Sequence, residues 1–174
     1  MKINAFKRKL LLCLMLSTST LAFAAETAQQ EAHKPVATLL PAEGSMAHNK
    51  GQLQQGLGLE CAGGKPAGIS YYNAANDLDV AIGSPVKIEI TVDDEKPVKF
   101  IATRIANKNV PEALTARSGD IDSTLYLIRK LENSKKAVWV TVSNPDLHKT
   151  TRFNLKASDM PGAVKSFKSF CATE

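Results

Sequence analysis

The stretch PVKIEITVDDEKPVKF, Pro85 to Phe100, sets Val86, Ile88, Ile90 and Val92 in alternation with Lys87, Glu89 and Thr91. That is the period of a strand with one face in a core and the other in water. The turn chemistry of DDEKP follows, and VKFIATRIA returns as the hairpin partner. Phe100 and Ile101 are adjacent in this return strand, which predicts either a bulge or burial on both of its faces.

Upstream of this hairpin, GLGLEC puts Leu57, Leu59 and Cys61 on one face of a half-buried strand, and AGISYYN places Ile69 with Tyr71 on one face of a second. NKNVPEALTARSGD is irregular. IDSTLYLIRKLENSKK then brings Ile121, Leu125, Ile128 and Leu131 close to helical spacing, with Asp120 or Asp122 as N-cap. AVWVTVS and TTRFNLKA read as two more strands joined by the turn NPDLHK. In SDMPGAVKSFKSFC, Ser158 or Asp159 can cap a terminal helix and Pro161 suits its first turn. Ala163, Val164, Phe167, Phe170 and Cys171 fall near one face of that helix. The fold class is therefore mainly β, a β-sandwich-like or strongly bent antiparallel sheet with two short helices, one of them C-terminal.

The chain opens with Lys2, Lys7, Arg8 and Lys9, continues through an apolar run from Leu10 to Leu16, and reaches Ala22, Phe23 and Ala24. This is the layout of a secretory signal peptide over residues 1–24, cleaved before Ala25, and its apolar run is shorter than the roughly 20 residues of a membrane span. Cys13 lies inside the run and reads as apolar filler. Residues 25–52 carry Pro35, Pro41 and Gly44 without a sustained apolar period, which predicts a flexible lead into one domain over residues 53–174. The leader holds four of the 22 Lys and Arg, leaving 18 against 17 Asp and Glu. Near neutrality argues against a nucleic-acid partner, which selects clustered cations.

Beyond the leader two cysteines remain, Cys61 and Cys171, and an exported chain with two thiols most simply joins them in one disulfide. Unpaired buried thiols are the competing reading. A redox role would want a close CxxC pair, which the sequence lacks.

The sequence carries few groups suited to catalysis. His33 and His48 fall in the flexible lead, and His148 sits in a polar turn. There is no GxSxG elbow, HExxH helix or glycine-rich phosphate loop. The acidic clusters, Asp77 with Asp79 and Asp93 with Asp94 and Glu95, lack the spacing of a calcium loop and read as turn residues and solvated strand ends. The expectation is no catalytic residue, no metal and no cofactor. Core packing is the first reading of Tyr71, Tyr72, Tyr126 and Trp139; the competing one is an aromatic binding surface, for which Tyr71, Tyr72 and Trp139 are the candidates.

The order LECAGG, VKIEITVDDEKPVKF, LYLIRKLENSKKAVWVTVS and RFNLKASDMPGAVKSFKSFC resembles the invasion-associated locus B family of exported bacterial proteins. A related layout occurs in periplasmic accessory proteins of type VI secretion systems. The resemblance spans Leu57 to Cys171, and departs from the family in having no tryptophan shortly before Cys61 and no glycine in ENSKKAV. It implies a β-rich, disulfide-closed envelope protein without enzymatic activity, linked to host interaction or secretion through an envelope or secretion-system protein. The expected location is the periplasm, with outer-membrane association or release as variants. A small-ligand or glycan-binding module, or an inhibitor of an envelope hydrolase such as lysozyme, is the alternative.

Overall fold

The structure is a computed structural model that describes residues 36–41 and 54–172. The expected signal peptide with Cys13, most of the lead over 25–52, and His33 and His48 lie outside the described residues.

Eight antiparallel strands form one sheet in the order β1-β2-β3-β6-β5-β4-β7-β8. They are β1 Val36–Pro41, β2 Gln55–Ala62, β3 Lys65–Asn73, β4 Pro85–Val92, β5 Val98–Ile105, β6 Leu114–Ser118, β7 Val138–Asn144 and β8 Lys149–Leu155. Helix α1, Ile121–Glu132, joins β6 to β7, and α2, Met160–Cys171, closes the chain after a 3-10 turn at Ala157–Asp159. The sheet is strongly bent. Tyr71 on β3 and Phe153 on β8 stack with ring centroids 6.0 Å apart, although in a flat sheet five strand spacings would separate those strands by about 24 Å. The mainly β expectation with two helices is met.

β4 follows its pattern closely, with Val86, Ile88, Ile90 and Val92 buried. β5 corrects an expectation. Its register against β4 runs without a break from Pro85↔Thr103 to Ile90↔Val98, so Val98, Phe100 and Ala102 point into the core while Ile101 is 68% exposed. The adjacent Phe100 and Ile101 reflect an apolar residue on the outer face, not a bulge. The register shift falls instead on β2, between Glu60 and Cys61.

Three further differences have physical reasons. Within the segment expected to be flexible, Val36–Pro41 pairs with β2 and seats Leu40 in the core. The irregular stretch contains β6, five residues that bridge β3 and β5. Its alternation of Leu114, Ala116 and Ser118 is short and ends on small side chains, which weakens the apolar signal. In α1 the inward stripe is Thr124, Leu127, Ile128 and Leu131, while Ile121 and Leu125 are exposed. Asp120 is the N-cap, accepting from the Ser123 amide at 3.0 Å, and that bond holds its carboxyl below the usual range.

In α2, Met160, Val164, Phe167 and Cys171 form the buried stripe; Ala163 is half-buried and Phe170 is 38% exposed. Asp159 occupies the cap position without a side-chain cap bond. Cys171 is disulfide-bonded to Cys61 of β2 across a separation of 110 residues, so the C-terminal helix is tied to the sheet by a covalent bond as well as by its apolar stripe. No helix among the described residues is long and apolar enough to cross a membrane.

Candidate functional site: a basic groove beside Trp139

The structure separates the three aromatic residues expected to share a surface. Tyr71 is fully buried, its hydroxyl accepting from Gln55 Nε2 at 2.8 Å, and burial pushes that hydroxyl's pKa up. Tyr71 is therefore a core residue and not part of a binding surface. Tyr72, the next residue on β3, points to the opposite, outer face and is half-buried. Trp139 is half-buried on the outer face of β7, four strands away in sheet order. Four spacings are about 19 Å along the sheet. Tyr72 and Trp139 therefore belong to different patches.

Trp139 has the more developed surroundings. Its cross-strand partner on β8 is Asn154, and the Arg152 guanidinium lies over the indole at 4.3 Å from the ring centroid. A stacked guanidinium keeps its edge N–H groups available in a fixed plane, the geometry that suits a carboxylate or phosphate. Beside this pair, a groove of about 300 Å³ runs between the start of β7 and the end of β8. Lys135, Lys136 and Lys156 line it together with Trp139. Among the described residues no carboxylate lines it; Lys156 pairs with Asp159 at 3.6 Å, both well exposed. Such a pair contributes little in water.

The wall of the groove is held from behind. Asp93, in the β4–β5 turn, accepts backbone N–H bonds from Lys135, Lys136 and Ala137 at 2.8, 2.7 and 3.1 Å. These bonds, led by that from Lys136, keep its carboxyl below the usual range. Asp93 and the following Asp94 adopt left-handed φ values of 51° and 64°, a conformation that aspartate tolerates better than most residues. Ser134 is buried and its hydroxyl lies within donating distance of two carbonyls, Leu131 at 3.0 Å and Ala157 at 3.2 Å, which share its one proton. One loop thus joins α1, the hairpin turn and the 3-10 turn, and the lysines stand on a fixed backbone.

Asp77, Asp79 and Glu95 have structural partners. Asp79 pairs with Lys149. Glu95 pairs with Lys130, which also lies 4.9 Å from the Tyr126 ring centroid. Asp77 accepts from Asn73. Among the described residues no three His, Cys, Asp or Glu side chains gather in one place. His148 is exposed at the β7–β8 turn with φ 54°.

Sequence reasoning singled out Trp139 and missed the cations around it. A signal existed. Once TTRFNLKA is read as a strand with Phe153 and Leu155 inward, Arg152 and Lys156 must share the outer face with Asn154. What brings Lys135 and Lys136 to the same place is the Asp93 clamp, a contact between loops 42 to 44 residues apart. No family model, curated protein or solved structure matches the chain.

Proposed function

We propose that this chain is a non-enzymatic accessory protein of the bacterial envelope, exported through its basic and apolar leader and acting through a protein-binding surface in host interaction or secretion. The carrying observation is the disulfide between Cys61 and Cys171, since bridges of this kind persist in oxidising compartments such as the periplasm and are rare where thiols are kept reduced. The resemblance of the strand and helix order to the invasion-associated locus B family points to the same reading. In it, the bridge and the sheet are scaffold, and function resides in what the outer surface presents.

Two measurements test this. In fractionated cells the mature chain is expected in the periplasm, beginning at Ala25, with both thiols inaccessible to alkylation until a reductant is added. Crosslinking the intact envelope and recovering the protein under several growth conditions is expected to return a defined protein partner. Recovery of a reduced, cytoplasmic chain would break the localisation, and recovery without any partner would break the accessory role.

The ligand-binding alternative draws on the groove beside Trp139. A thermal-shift screen with glycans and lysozymes tests it, because any ligand that binds only the native state raises the unfolding midpoint.

A further inference from the structure

The strand that carries Arg152 is also an edge of the sheet. β8 pairs with β7 on one side, and among the described residues no strand pairs with its other side. An edge strand presents backbone groups that can receive an added strand, and natural proteins commonly guard it with charge. Here the guard has one sign. Arg152 and Lys156 alternate with inward Phe153 and Leu155, and Lys135 and Lys136 stand across the groove. None of the side chains of Arg152, Lys135 or Lys136 is in an ion pair among the described residues. A second copy of this strand would bring like charges together, which disfavours self-pairing. A strand with acidic side chains at alternate positions meets the opposite condition.

We infer that β8 and the adjoining basic groove form a docking site for an extended acidic segment of a partner protein, added to the sheet beside β8 with its carboxylates on Arg152, Lys156 and the Lys135–Lys136 loop. This deepens the accessory-protein reading and rests on it. Two features choose a peptide over a saccharide. The edge, unpaired by any strand among the described residues, offers main-chain hydrogen bonds that only a polypeptide can use along its length. Arg152 occupies a face of the Trp139 ring, the surface on which a neutral sugar would stack. The guanidinium it holds there favours a carboxylate.

Trp139 is the single tryptophan of the chain, so intrinsic fluorescence reports on this site alone. The full-length mature protein is titrated with a ten-residue peptide that alternates Asp with Val or Thr and lacks aromatic residues. Saturable change in Trp139 emission is expected, about tenfold weaker or more in an Arg152→Glu/Lys136→Glu variant, and lost when alternate peptide nitrogens are N-methylated. Both substituted side chains are exposed, and an unchanged unfolding midpoint verifies that the variant is folded. An acidic peptide that leaves the emission unchanged overturns the inference. So does equal binding of the N-methylated peptide or of an acidic polysaccharide, because the surface would then be reading charge without adding a strand. An envelope partner captured equally well by the wild-type and charge-reversed proteins overturns this site while leaving the accessory role intact.

Discussion

β2 and β4 are both strands with neighbours on either side, yet they solve burial differently. β4 alternates, its Val and Ile side chains inward and Lys87, Glu89 and Thr91 partly solvated outside. β2 is buried from Gly56 to Cys61 on both faces. Its inner side chains are Leu57, Leu59 and Cys61, and Cys61 is covalently held to α2. Its outer positions are Gly56, Gly58 and Glu60, and Glu60 is covered by Arg117 of β6, whose Nε and Nη2 both bond its carboxylate, the latter at 2.5 Å. Alternation in a sequence identifies which face is apolar. Whether the other face meets water depends on what the topology lays over it, and here β6 and the bridge to α2 make β2 the locked side of the molecule.

If that contrast is right, the largest loss of stability comes from cutting the bridge. Closing a loop of 110 residues constrains the unfolded chain by about 4 to 5 kcal/mol in the chain-entropy model. Cys61→Ser is therefore expected to lower the melting temperature by roughly 10 to 20 °C for a domain of this size. Reduction of the wild-type protein should reproduce that fall. An unchanged midpoint in Cys61→Ser would show that α2 is held by its apolar stripe alone.

Next in size is Gly68 on β3. A Cβ built there would lie 2.1 Å from the carbonyl oxygen of Ser118 on β6, and that oxygen belongs to backbone that cannot rotate away. Gly68→Ala should force β3 and β6 apart at a cost of about 3 kcal/mol, the upper range for overpacking, measured by urea unfolding. The close approach also places Arg117, one residue before Ser118, where it can reach across to Glu60. A loss of less than about 0.5 kcal/mol, the range of ordinary surface substitutions, would mean that the two strands are not this close.

These positions show what was legible in the sequence. β4 was, because its alternation is strict and its outer face is charged. The disulfide was, because cysteine counting does not depend on tertiary detail. β6 was not: it is five residues long, and its place in the sheet is fixed by pairing with β3 and β5, which lie far from each other in sequence. The rotation of α1 was missed for a similar reason. Ile121 and Leu125 match the helical period as well as Leu127 does, and only Thr124, packed inward with its hydroxyl on the Asp120 carbonyl at 2.6 Å, shows which stripe faces the sheet. The groove was half legible, through Trp139 and without its cations.

A pair of matched substitutions tests the outer faces directly. Glu60 has a side chain only 8% exposed and a bidentate arginine partner, whereas Glu89 meets Lys87 and Lys99 at 26% exposure. Glu60→Gln leaves Arg117 half-buried without its counter-charge and should cost about 1 to 2 kcal/mol, less than a fully buried pair because Arg117 still reaches water. Glu89→Gln should cost less than about 0.5 kcal/mol, as expected for exposed pairs. Added salt should erase the Glu89 effect and leave most of the Glu60 effect. Equal costs would remove the distinction between the two strands' outer faces.

The smallest effect, and the one nearest the proposed docking site, belongs to Asp93 at the end of β4. Asparagine tolerates the same left-handed backbone, so Asp93→Asn keeps the turn, leaves one oxygen for the amides of Lys136 and Ala137, and removes both the charge and the Oδ2 that accepts from the Lys135 amide. The amide bonds, with Lys136 first, lower the folded-state pKa beneath the ordinary value of 3.8. Between the folded and unfolded pKa values the unfolded chain binds more protons, so stability rises with pH in that window. The contribution is complete above the unfolded value and disappears as pH falls through the folded one. Asp93→Asn should therefore melt below wild type at pH 7, and the gap should narrow as both are taken below pH 4. Because the same amides carry Lys135 and Lys136 into the groove, the variant should also weaken the acidic-peptide response of Trp139 at pH 7 without touching a residue that faces the ligand. A gap in melting temperature that stays constant from pH 7 to pH 3 would show that the loop is held by the shape of the turn and not by the carboxylate, and would leave β4 with no charge-dependent link to the groove.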